Sequence, residues 1–270
     1  MADTGKKQTG GAAAAVLKKP DRTKTYLTLI LIVVLLWGSA YKTDASLTSL
    51  FTGTPEMGKL LVEMVPPDWS YLDVIWGPIL ETIQMAVVGT TIGALLAIPI
   101  ALFSAGNVTK SPLLIYVSRI ILNLVRSIPD LLFAAVFVAI FGIGPVAGVL
   151  ALVFFSFGLV AKLLYESIEA IDPGPLEAMT AVGANKLQWI HFGVVPQVLA
   201  QFTAYVLYTF EVNIRAAAVL GLVGAGGIGL FLDRTLNQLR YDRTSTIILV
   251  TLAIVLIIDY TSTKLREKLL

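Results

Sequence analysis

Of the charged side chains inside apolar runs of membrane length, four form two pairs spaced four residues apart: Arg126 with Asp130, and Glu211 with Arg215. A charge at membrane depth is costly, so it is either paired or placed along a path for a polar solute. Residues four apart share a helix face, so each pair can neutralise itself; alternatively, the guanidinium groups can meet an oxyanion in a low-dielectric passage. Asn213 lies between Glu211 and Arg215 as a neutral donor, and Gly224, Gly226 and Gly227 belong to a glycine-rich turn able to present N–H groups. Nothing comparable points to bond-making chemistry. With one histidine, His191, and no cysteine, the chain has no imidazole cluster, thiolate metal site or disulfide framework. Its scattered acids supply no catalytic constellation.

The elements that must hold these residues are membrane spans. Of 270 residues, 56% are hydrophobic and 14% charged, where a soluble domain carries about a quarter charged residues. A net charge of +2 gives no argument for nucleic acid. Residues 1–25 form a basic tail expected in the cytoplasm. Residues 26–41 are an apolar run, read as a retained first helix because further spans follow, although its Gly38-Ser39-Ala40 end also fits a cleaved signal peptide. Residues 42–77 are a polar, acidic segment expected outside, with Trp69, Tyr71 and Trp76 as an interfacial belt. The next span, residues 79–103, contains Glu81.

Leu131 to Ala161 is uncharged, too long for one span and too short for two. A break at Gly142-Ile143-Gly144-Pro145 resolves this if the first helix runs back through Pro129 to about Arg119, placing Arg126 and Asp130 on one face. A helix begun at Pro196 lifts Glu211 by roughly 22 Å, into the outer half. The glycine run from Gly221 to Gly229 then bends the chain. The last span begins near Ser245 and ends in Lys264, Arg266 and Lys268. The expectation is an all-α integral membrane protein of about six transmembrane helices, both termini cytoplasmic. Gly224 to Gly229 also fits GxGxxG, but its flanks are membrane-length runs and not a βαβ unit, and no phosphate-cradling GxxxxGK[ST] occurs.

One long polar stretch interrupts the second half, residues 166–196. Asp172, Pro173 and Pro175 are helix-start residues, so a short helix should begin near Pro175, end or bend at Gly183 and restart at Asn185. Within it Glu177-Ala178, then Gly183 six residues after the Glu and Pro196 thirteen after the Gly, resemble the EAA loop of ABC-importer permeases, with Met179, Gly193 and Val195 departing from the pattern. The resemblance extends to Arg126-Ser-Ile-Pro-Asp130, Gly142-Ile-Gly-Pro145, Lys162 with Glu166 and Glu169, Phe210-Glu-Val-Asn-Ile-Arg215 and Val223 to Gly229. It covers residues 70–265, and is to the phosphonate-type permeases of type I importers.

That resemblance implies a type I ABC importer permease fold, with residues 78–265 as its core. It implies import of a phosphonate or related phosphorus oxyanion by alternating access, with a methionine or other small-solute permease as the alternative. The chain would be no enzyme and bind no cofactor or metal, ATP and Mg being used by two cytoplasmic ATPase subunits. The other implied partners are a second permease, copy or paralogue, and an extracytoplasmic phosphonate-binding protein, all at a bacterial inner membrane among its lipids. Glu177, Ala178, Gly183 and Pro196 would couple to the ATPase, and Arg126, Asp130, Glu211, Asn213, Arg215, Gly224, Gly226 and Gly227 would line the substrate pathway.

Overall fold

The structure is a computed structural model that describes residues 22–43 and 47–269. The basic tail read over residues 1–25 therefore lies almost wholly outside the described residues. Clustering of contacts separates residues 1–59 from residues 60–270. In the first unit α1, Thr23–Lys42, is somewhat longer than the apolar run alone; its 20 residues rise about 30 Å, one hydrocarbon thickness. Within the segment read only as polar, residues 47–63 form a helix, α2 (Leu47–Glu63). Gly53, Pro55 and Gly58 read as turn residues there, but Met57 and Leu61 stand four apart, a helical spacing, and Lys59 pairs with Glu56 at 2.8 Å.

The second unit is built on α3, Leu72–Ser104, and α6, Pro145–Glu169. Water does not drive helices together inside lipid, so close backbone approach must. Gly89 and Gly93, one turn apart on α3, provide it: a Cβ on Gly89 would lie 2.5 Å from that of Leu152, and one on Gly93 2.5 Å from that of Ser156. Ala86, Ala97, Ala147 and Ala151 continue the small-residue seam and are fully buried.

Between these two helices the chain breaks sharply. α4 covers Pro112–Ser127 and α5 covers Asp130–Phe141, and the two are bent by 85°. The helix expected to run on from Arg119 with only a kink at Pro129 is thus corrected to a break: Ile128 is extended, with φ −87° and ψ 122°, because the residue before a proline is pushed out of the helical region. The second break falls where the glycines placed it. Gly142 and Gly144 have φ +87° and +149°, and Pro145 opens α6.

After α6 come α7, Pro173–Ala181, and a single turn α8, Lys186–Gln188. The chain then passes through a π-helical turn, Trp189–Val194, into α9, Val195–Leu220. Pro196 has no N–H and crowds the carbonyl four residues back, which accounts for the widened turn before it. α10, Gly227–Asn237, and α11, Tyr241–Leu269, complete the unit. Because α10 runs through Asn237, only residues 238–240 connect it to α11. Asp68 ties the α3 entrance to α11: its N–H donates to the Asp242 carbonyl at 3.1 Å, and Thr246 Oγ1 donates to its own carbonyl at 3.0 Å. Among the described residues, five helical stretches are long and apolar enough to cross a membrane, and six if α4 and α5 form one broken span.

Candidate functional site: a surface loop and a set of core charges

The loop from α7 to α9 forms as its residues dictate. Asp172 accepts the Gly174 N–H at 2.9 Å and caps α7, two residues before the start expected near Pro175. At the other end Gly183 has φ +73°. Its N–H donates to Thr180 O at 3.1 Å and that of Ala184 to Met179 O at 3.0 Å, the closing pattern that a left-handed glycine permits. Asn185 and Gln188 form a reciprocal capping box that restarts the helix.

Tertiary contacts hold this loop as one piece. Trp189 Nε1 donates to Leu176 O at 3.0 Å, and Gln197 Nε2 donates to Gly193 O at 2.7 Å. Gly193, which departs from the loop pattern, packs closely on α7: a Cβ there would sit 2.9 Å from Leu176 Cδ2, the flexible end of that side chain. Lys186 Nζ donates to Val108 O, joining α8 to the connection between α3 and α4. Nearby, Glu169 Oε1 accepts from Arg119 Nη2 at 2.5 Å and from Gly106 N at 2.7 Å. Glu177 and Ala178 stay exposed, as do the apolar side chains of Val182, Leu187 and Phe192.

The core charges are arranged differently from the sequence expectation. Arg215 Nη2 pairs with Glu211 Oε1 at 2.7 Å, but Arg266 Nη2 holds the other oxygen at 2.8 Å. Glu211 is therefore shared between two arginines, and Arg266, read only as part of a basic flank, turns inward. Because Arg266 belongs to the last turn of α11, Glu211 lies within a side chain's reach of that helix end. The count from Pro196 assumed that the membrane begins there, whereas α9 continues directly from the loop.

Asn213 is fully buried and donates to Thr90 Oγ1 at 2.6 Å and Ser156 Oγ at 2.7 Å. It knots α9 to the α3–α6 seam, so its donors already have partners. The glycine turn is likewise engaged. Glu81 Oε1 accepts the Gly227 N–H at 3.0 Å and Thr82 Oγ1 the Ile228 N–H at 2.8 Å, while the Gly224 carbonyl accepts from Gly144 N at 3.0 Å. Gly224 and Gly226 have φ +87° and +83°, and a Cβ on Gly226 would come within 2.8 Å of both Glu81 and Pro145. Glu81 was visible as a lone acid in an apolar run; its partner was not, being 146 residues away.

Arg126 and Asp130 are not brought together as an ion pair. The 85° bend removes the common face, and Asp130 Oδ1 accepts its neighbour Leu131 N–H at 2.9 Å. Both line a cavity of about 290 Å³ with Phe133, Phe154, Phe155 and Gly158. Unlike Arg119, Lys162, Arg215 and Arg266, Arg126 has no ion-pair partner among the described residues.

Comparison with known proteins agrees with this architecture. A family model described as the binding-protein-dependent transport system inner membrane component matches residues 97–267. A putative phosphite transport system permease protein of Stutzerimonas stutzeri is 38% identical over 249 residues, covering 92% of this chain and 88% of that one. A second phosphite transport system permease protein from that organism is 40% identical, covering 82% and 80%. A phosphate-import permease protein of Mycolicibacterium smegmatis is 38% identical over 82% of this chain and 42% of its own. Among solved structures, an inward-facing methionine ABC transporter aligns with TM-score 0.66 at 20% identity, covering 75% of this chain and 99% of that one, a likeness in fold.

Proposed function

The chain belongs to the family of binding-protein-dependent transport system inner membrane components, as a membrane permease of an ABC importer, and from that premise we propose that its cargo is a phosphonate or a related phosphorus oxyanion. The observation that carries the cargo reading is the 38% identity to a phosphite permease over 92% of this chain. The methionine alternative has only a likeness at 20% identity behind it. Transport runs inward by alternating access, and ATP and Mg are used by two partner ATPases, not by this chain. A second permease, copy or paralogue, and an extracytoplasmic phosphonate-binding protein complete the importer in a bacterial inner membrane.

In this reading the α7–α9 loop is the seat of the ATPase. Glu177 and Ala178 face outward, Gly183 sets the bend and Pro196 starts the span behind it. Among the pathway candidates, the Glu211–Arg215 pair, the Asn213 amide N–H groups, the Gly224 carbonyl and the Gly227 N–H are engaged within the fold, Gly226 packs closely against Glu81 and Pro145, and Asn213 Oδ1 is buried without a partner among the described residues, so this group shapes and holds the passage; Arg126 and Asp130 remain to meet solute. The test is twofold. A Walker-motif ATPase should co-purify with the chain, and a cysteine introduced as Leu187→Cys should be labelled only after permeabilisation, whereas Asn237→Cys is labelled from outside. External labelling at 187 contradicts the arrangement.

A further inference from the structure

We infer that the cavity at the α4–α5 bend is a transit site for an aminoalkylphosphonate, its phosphonate held by Arg126 and its ammonium by Asp130. This rests on the phosphorus reading of the cargo above. Arg126 is exposed and Asp130 half-buried at this cavity, so both charges are open to a solute, and opposite charges this close within membrane-length runs ordinarily pair. Here the bend at Pro129 prevents it: neither residue makes an ion pair among the described residues, although both line the same 290 Å³ space. Asp130 has only the Leu131 N–H on Oδ1, and its other oxygen has no partner among the described residues. A ligand carrying both charges supplies what each side chain lacks.

The remaining walls fix the middle of the ligand. Phe133 stacks on Phe154 with centroids 5.2 Å apart, and Phe137 lies 5.5 Å from Phe154, so α5 and α6 present aromatic faces beside the two charges. The Arg126 stem runs across Gly158, where a Cβ would lie 2.8 Å from its Cγ; glycine lets the arginine lie flat against α6. An apolar wall between a cation and an anion matches a short methylene chain between an amine and a phosphonate. Phosphite would engage Arg126 alone, leaving Asp130 without a counter-charge and the phenylalanines without an apolar partner. At about 290 Å³ the space is at the lower edge of ordinary ligand pockets, which run from roughly 300 to 1,000 Å³, and suits a solute of few carbons.

The test compares two solutes that differ only in the amine, 2-aminoethylphosphonate and ethylphosphonate, in proteoliposomes holding the complete importer and its binding protein. Initial uptake by each variant is divided by that of the wild type, which cancels the preference of the binding protein. Asp130→Asn keeps a side-chain oxygen able to accept the Leu131 N–H and should lower 2-aminoethylphosphonate uptake by about tenfold, the scale of one charge-assisted contact, while ethylphosphonate uptake holds. Arg126→Gln should lower both. Equal ratios for the two solutes in Asp130→Asn, or a wild type that carries ethylphosphonate and rejects its amine, overturn the transit site alone. A wild type that carries neither of them but does carry phosphite overturns the transit site alone, and one that carries none of the three overturns the cargo reading with it.

Discussion

Glu211 and Arg266, 55 residues apart in the chain, meet at 2.8 Å and lock α9 to the end of α11. The glutamate side chain is 7% exposed, Arg266 25% and Arg215 47%. These exposures rank the two arginines. Removing one partner of a buried pair costs about 3–5 kcal/mol, whereas a half-solvated partner is worth about 1 kcal/mol or less. Arg266→Ala should therefore lower the unfolding midpoint of the detergent-solubilised complex far more than Arg215→Ala. Comparable effects would mean that Arg266 is not the main counter-charge.

The same relationship decides a charge exchange. A self-contained Glu211–Arg215 pair would tolerate Glu211→Arg with Arg215→Glu. With Arg266 present, the exchange sets two guanidinium groups against each other in a buried site. The double variant should insert poorly or lose uptake, and adding Arg266→Glu should recover assembly in part. Normal assembly of the double variant would contradict the shared carboxylate.

At the α3–α6 seam, Gly93→Val forces side-chain atoms into a space where even a Cβ would be 2.5 Å from Ser156 and 2.8 Å from Val153 O. Overpacking of this kind costs about 1–3 kcal/mol or more, so the variant should show a lower yield of folded protein. Gly38→Val, in α1 with nothing within 4 Å, is the control and should express normally.

The loop makes a different demand. A β-branched residue at Gly183 must adopt φ near +73°, a conformation open to glycine and costly to valine. Gly183→Val should insert in the membrane at normal levels yet lose uptake and ATPase co-purification. Normal transport with the ATPase bound would remove the loop from the coupling role.

Strong acid should weaken the tie between Asp68 and α11. The Asp68 carboxyl is held below its ordinary value, first by the Ser70 hydroxyl and then by Arg243. A depressed folded value gives stability that is present above the unfolded value, about 3.9, and is lost as pH falls through the folded one. Melting curves should steepen in their pH dependence below about pH 4, and Asp68→Asn should flatten that segment. An unchanged profile would show that the carboxylate has no such weight.

What the sequence made legible was local. Asp172, Gly183 and Asn185 act within a few residues of themselves, and each does what its type predicts; the break at Gly142 to Pro145 is read in the same way. The misses are relations between distant residues or directions set by a bend. Arg266 looked like a basic flank because charge counts do not say which way a long side chain turns. Arg126 and Asp130 looked like a pair because i, i+4 spacing presumes a continuous helix, and Ile128 before Pro129 interrupts it. Glu81 was conspicuous, but its bond to the Gly227 N–H depends on how α3 and α10 pack.

The central claim, that this permease subunit imports a phosphorus oxyanion at the expense of ATP, is tested most directly by solute accumulation in proteoliposomes containing the chain, its partner permease, the ATPase and the binding protein. The account predicts concentrative phosphonate or phosphite uptake that needs both ATP and binding protein and is lost when this chain is omitted. Uptake driven by an ion gradient without the ATPase, or ATP-driven uptake that excludes phosphorus oxyanions in favour of another solute, would contradict it.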